Sequence, residues 1–118
     1  MNQDVSILEG KTLSSVIAKD DEITFTTVDG EVYYMYHSPE CCEYVSIEDI
    51  CGDLDDLVGS PITFAAEKTQ DDPEPQDGIG MWTFYSFATN KGWVDIRWYG
   101  SSNGYYSVGV SFELHQEN

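Results

Sequence analysis

His37, Cys41, Cys42 and Glu43 lie in one short stretch, and imidazole, thiolate and carboxylate are the ligand types zinc prefers. A loop carrying them could close on a metal ion, with Cys51 joining from further along the chain. The second, spaced ligand pair of a structural zinc site is missing, and adjacent cysteines fit one tetrahedral ion poorly. His37, Cys41 and Cys42 therefore stand as metal candidates while the expectation is no cofactor. Nucleophilic catalysis by either cysteine with His37 fares no better. A reactive thiolate needs electropositive surroundings, and Glu40 and Glu43 supply the opposite. Asp53, Asp55 and Asp56 lack the central Gly and closing Glu of a calcium loop. No glycine-rich phosphate loop is present, so the expectation is a protein that is not an enzyme.

A second kind of chemistry is offered by Arg97, followed by Trp98 and Tyr99, with Tyr105 and Tyr106 downstream. A guanidinium among aromatic rings can bind an anionic, nucleotide-like ligand. The structural alternative is that Arg97 balances Asp95, which shares its strand face.

The third feature is charge. Twenty-two Asp and Glu against five Lys and Arg give a formal net charge of -17, and no Lys or Arg occurs between Asp20 and Glu67. Asp20, Asp21, Glu22, Asp29, Glu31, Glu40, Glu43, Glu48, Asp49, Asp53, Asp55 and Asp56 all fall in that interval. Such a chain repels nucleic acid and anionic lipid and attracts basic partners. The Met1–Glu9 end lacks a basic-then-apolar leader, and no apolar run approaches the roughly 18–20 residues of a membrane span. The expectation is a cytoplasmic chain with reduced thiols, no direct nucleic-acid binding and no membrane partner. A vicinal Cys41–Cys42 bond is disfavoured by its geometry.

The elements that must position these residues read mainly as strands. The composition, with 41% hydrophobic and 14% aromatic residues, suits one folded domain over 1–118. Thr12 to Ala18 is a first strand, and Glu22 to Thr27 alternates cleanly. Asp29-Gly30 is a hairpin turn returning into Glu31 to Tyr36. Tyr44-Val45 is a short strand. Ile47, Ile50, Leu54, Leu57 and Val58 then recur at spacings of three and four, a helical stripe capped by Ser46. Extended structure resumes over Pro61 to Lys68, and 69–80 has the composition of a flexible loop. Met81 to Thr89, Trp93 to Tyr99 and Tyr105 to Leu114 form a C-terminal meander. The fold class expected is α+β: a mostly antiparallel sheet of about six or seven strands, with a short helical insertion packed on one face.

The segments Glu40-Cys41-Cys42-Glu43, Ile47 to Leu54, Gly59-Ser60-Pro61-Ile62, Trp82-Thr83-Phe84-Tyr85 and Ile96 to Tyr106 together resemble a family of short, functionally unassigned phage and bacterial proteins. The resemblance spans nearly the whole chain and implies a phage context, but it carries no catalytic residue to transfer. With the charge, it implies an acidic inhibitor in the host cytoplasm. Its carboxylates would occupy the basic, nucleic-acid-binding surface of a host defence or regulatory protein, in the manner of a nucleic-acid mimic or an anti-CRISPR. The alternatives are a module sequestering a nucleotide-like ligand on Arg97, Trp98, Tyr99, Tyr105 and Tyr106, or a phage accessory or assembly protein.

Overall fold

A computed structural model describes residues 3–40, 42–75, 78–104 and 106–115. Among the described residues, eight strands form two four-stranded, antiparallel sheets. The strands are β1 (Leu13–Lys19), β2 (Glu22–Thr27), β3 (Val32–Tyr36), β4 (Tyr44–Cys51), β5 (Phe64–Asp71), β6 (Ile79–Thr89), β7 (Gly92–Ser102) and β8 (Ser111–Leu114). The first sheet runs β1-β2-β3-β8 and the second β4-β7-β6-β5. Among the described residues the only helical elements are two 3-10 turns, Val5–Leu8 and Leu54–Leu57. The α+β expectation is thus corrected to an all-β architecture.

The physical reason lies in what each sheet must cover. Period-two alternation gives each sheet one apolar face: Ile23, Phe25, Tyr33, Met35 and Phe112 on the first, Tyr85, Phe87, Val94, Ile96 and Trp98 on the second. The sheets bury these faces against one another. Phe25 of β2 meets Phe87 of β6 with ring centroids 5.5 Å apart, and Phe112 of β8 packs edge-on to Phe25 at 5.7 Å. The 3-10 turns close the gap between them through Val5, Leu8 and Leu57, all fully buried. Each turn starts at an aspartate whose carboxylate accepts a backbone N–H: Asp4 from Ser6 and Asp53 from Asp55, both at 2.9 Å.

The helical stripe is overturned by a β-bulge. Ile47 pairs with Trp98 and Asp49 with Arg97, so Glu48 is an extra residue in β4. The bulge shifts the alternation by one, so Ile47 and Ile50 turn to the same, inner face although three residues apart. Leu54 and Leu57 carry on the spacing because they sit one 3-10 turn apart. Two other expectations shift. β5 extends through Thr69, Gln70 and Asp71, so the connection to β6 begins only at Asp72. The C-terminal meander stops after the β6–β7 hairpin, because β8 crosses to the first sheet and pairs with β3. Among the described residues, no helix is long and apolar enough to cross a membrane.

Candidate functional site

Apart from Glu40 and Glu43, between β3 and β4, the acidic residues singled out divide among three places. Asp20 and Asp21 form the β1–β2 turn with positive φ of 52° and 57°, which aspartate tolerates better than most residues. The Asp21 carboxylate accepts the Ile47 backbone N–H at 3.0 Å, tying the first sheet to the second. Glu22 stands exposed beside them, at the end of the sheet where Lys19 pairs with it. At the opposite end, Asp29 is exposed and Glu31 binds Lys11 at 2.9 Å, a hydrogen bond that raises the lysine's pKa. Asp53, Asp55 and Asp56 belong to the second 3-10 turn, which packs on β1 at that end through the Leu13–Val58 bridge. Glu48 and Asp49 lie on the outer face of the second sheet, Glu40 is exposed, and Glu43 is buried. The carboxylates are therefore ordered but do not make one patch.

Arg97 sits at the centre of that outer face. Cross-strand pairing sets out its rows: Asp49–Arg97–Phe84–Lys68, then Cys51–Asp95–Ser86–Ala66 on one side and Ser46–Tyr99–Trp82–Gln70 on the other. Arg97 Nε lies 2.6 Å from Glu48 and its Nη2 4.0 Å from Asp49. The expected partner Asp95 is instead bound by the Ser86 hydroxyl at 2.6 Å. Trp82 donates its indole N–H to Glu48 at 3.2 Å and packs on Tyr99, ring centroids 5.3 Å apart. Tyr99 donates its hydroxyl to Asp72 at 2.6 Å; that bond raises the phenol's pKa and lowers the carboxyl's. Beyond Asp95 the face ends in a second ring pair, Phe64 and Trp93, with centroids 5.4 Å apart; Trp93 is 60% exposed. Between Asp49, Cys51, Phe84, Ser86, Asp95, and Arg97 lies an open depression of about 210 Å³.

The five residues of the expected ligand pocket are not brought together. Arg97 and Tyr99 share the outer face, but Trp98 alternates to the inner one and is fully buried. Tyr106 lies in the segment after β7, half-buried, with its carbonyl accepting the Ser102 hydroxyl at 3.0 Å. Tyr105 lies outside the described residues. An anion at Arg97 would also have to displace Glu48.

His37 is used structurally. Its Nδ1 bonds the Gly109 carbonyl at 2.7 Å, which requires that nitrogen to donate, and its Nε2 faces the Glu43 carboxylate at 3.5 Å. The pair, with side chains 9% and 0% exposed, pins the loop after β3 to the segment before β8. Glu43 also accepts the Glu40 backbone N–H at 3.1 Å. Among the described residues no group of three or more His, Cys, Asp and Glu side chains is placed to hold a metal. Cys42 is disulfide-bonded, against the expectation of free thiols, while Cys51 is free and exposed. Cys41 lies outside the described residues. The Cys51 thiol donates to Asp49 at 3.3 Å, and this bond raises its pKa away from thiolate reactivity.

Phe64, Trp82, Phe84 and Trp93 were the surface residues not singled out from the sequence, although the signal was there. In Trp93-Val94-Asp95-Ile96-Arg97 and Trp82-Thr83-Phe84-Tyr85-Ser86 strict alternation puts every second residue on one face. Val94, Ile96, Thr83 and Tyr85 take the core, which leaves Trp93, Asp95, Arg97, Trp82, Phe84 and Ser86 on the outer face.

A family model described as "Domain of unknown function (DUF7448)" matches residues 6–112, and the chain belongs to that family. No curated protein and no solved structure matches the chain.

Proposed function

We propose that this member of a family of unknown function is a phage-encoded acidic binding protein. It would dock on the basic, nucleic-acid-binding surface of a host defence or regulatory protein and block it, as an anti-CRISPR does. The observation that carries this reading is the way three of the five cations are spent. Lys11 is paired with Glu31, Arg97 with Glu48 and Asp49, and Lys91 with the Val58 carbonyl at 2.6 Å. The excess negative charge of the chain is thus carried outward by ordered side chains on a two-sheet scaffold. A rigid array of carboxylates loses little entropy when it meets lysines and arginines that otherwise hold phosphates, and complementary charge speeds the encounter. Asp20, Asp21 and Glu22 at one end and Asp53, Asp55 and Asp56 at the other add to the negative field that draws a basic partner in.

The test is capture from a bacterial host lysate at about 0.05 M and about 0.5 M NaCl, between which the screening length falls from roughly 14 Å to roughly 4 Å. The proteins retained at low salt should be basic nucleic-acid binders released at high salt. Adding the purified chain should displace DNA or RNA from each of them in a gel-shift assay. Retention that ignores salt, or a captured protein that still holds its nucleic acid, contradicts the proposal.

A further inference from the structure

We infer that the outer face of the second sheet is where a basic partner docks, with one arginine side chain of that partner seated in the Asp49–Phe84–Asp95 depression. This rests on the reading of the chain as a binder of basic proteins and adds where, and by what chemistry, it grips.

The face is open. Among the described residues both 3-10 turns pack inward, through Val5, Leu8 and Leu57, and no element crosses the outer side of β4-β7-β6-β5. It is also aromatic to a degree that the rest of the surface is not. Trp82 and Tyr99 form one ring pair, Phe64 and Trp93 another, and Phe84 lies between them in the central row. Phe64 and Trp93 are exposed and Trp82, Phe84 and Tyr99 half-buried, and ring surface of this kind suits a partner side chain with a delocalised charge and an apolar stem.

Charge then selects the occupant. Glu48 pairs with Arg97 by charge at 2.6 Å, though outside hydrogen-bond geometry, while Asp49 stands 4.0 Å from that guanidinium and, among the described residues, accepts only the weak Cys51 thiol donor. Asp95 has no cation within ion-pairing distance among the described residues and is bound only by the Ser86 hydroxyl. Asp49 and Asp95 thus line the depression together with Phe84, Ile96 and Arg97, two carboxylates against one cation. A second guanidinium placed there meets what the first already has: carboxylate oxygens beside an aromatic row. A planar guanidinium can bond to both carboxylates while lying on the ring, whereas a lysine ammonium, compact and strongly hydrated, can use only the charge. A second copy of this chain is a poor occupant because both copies carry the same large negative charge.

The experiment uses two labelled probes, nona-arginine and nona-lysine peptides, followed by fluorescence anisotropy and by the indole N–H signals in a nitrogen–proton correlation spectrum. The arginine peptide should bind roughly tenfold tighter than the lysine peptide, the size of a partly desolvated cation–π contact. The indole signals of Trp82 and Trp93 should shift while that of the buried Trp98 stays. Phe84→Ala and the milder Asp95→Asn should each remove most of the arginine preference, with unchanged thermal unfolding showing that the sheet persists. Asp29→Asn with Asp55→Asn, on another surface, should weaken both peptides equally. Equal binding of the two peptides, with Trp82 and Trp93 unmoved, overturns the docking face and leaves the acidic-binder reading standing. Failure of both peptides to bind at low salt overturns both readings.

Discussion

Tyr85 is fully buried on β6, its hydroxyl facing the Glu67 carboxylate outside good hydrogen-bond geometry, and the indole N–H of Trp98, buried on the neighbouring strand β7, finds no partner among the described residues. These groups are inside because alternation along the strands leaves no choice of face, and the rings contribute more by burial than the lone polar atoms cost. Burial drives the Tyr85 phenol far above its ordinary pKa, with the nearby Glu67 carboxylate adding to the shift. A folded-state pKa raised above the unfolded value gives stability that is present below about pH 10 and lost as the pH rises past it, because only the unfolded phenol can then ionise freely. Tyr33 shifts in the same direction through burial, and Tyr36 through its bond to Glu113. The protein should therefore hold its melting temperature between about pH 7 and 9 and lose it steeply above about pH 10. In Tyr85→Phe the alkaline loss should be shallower, while stability at neutral pH should change by less than about 1 kcal/mol, since the hydroxyl removed makes at most a poorly aligned contact with Glu67. Circular dichroism melts across that range decide the point: an alkaline loss as steep as the parent's would mean that Tyr85 is not among the groups responsible.

At the scale of the element, the strands with unbroken alternation were legible and the irregular ones were not. Glu22–Thr27 and the Asp29-Gly30 turn stand where the residues place them. Between Ile47 and Val58 the apolar spacing copies a helix because a bulge at Glu48 and a 3-10 turn at Leu54–Leu57 each contribute a step of three. Nothing local distinguishes those two devices from one helix face. The partner of β8 was equally hidden, since Val108, Val110 and Phe112 alternate inward whichever sheet they join. Of the candidate site, Arg97 and its strand face were visible. Its ion pair with Glu48 was not, because that contact depends on the bulge. The segment between β7 and β8 owes its path to one glycine. A Cβ on Gly100 would lie 2.7 Å from both the Val108 carbonyl oxygen and its Cβ, and 3.0 Å from Val45 Cγ2. Backbone cannot yield as a flexible side-chain tip can, so Gly100→Ala should cost about 1–3 kcal/mol, as overpacking does. Gly10→Ala meets no atom within 4 Å and pays only for its positive φ of 86°. Urea unfolding of the two variants should rank Gly100→Ala as the more destabilised; the reverse order would mean that the β7–β8 segment moves aside.

For the whole molecule, the charge that favours a basic partner works against the fold. With a formal net charge of -17 drawn into a body of 14.5 Å radius of gyration, like charges stand closer in the folded chain than in the expanded unfolded one. The cations do little to relieve this, because each described pair is local: Lys11 with Glu31 at one end, Arg97 with Glu48 on one face. Salt should therefore stabilise the free protein. Going from about 0.01 M to about 0.15 M NaCl shortens the screening length from roughly 30 Å, longer than the body's radius, to roughly 8 Å, shorter than it. The melting temperature should rise over that interval and level off beyond it, with sodium and potassium chloride acting alike. The same interval should weaken binding to a basic partner, so stability and affinity should move in opposite directions with salt. Parallel melts and peptide titrations at matched ionic strength test this opposition. A melting temperature that falls with added salt would mean that local ion pairs outweigh the global repulsion, and the excess charge would then carry no folding cost for a partner to relieve.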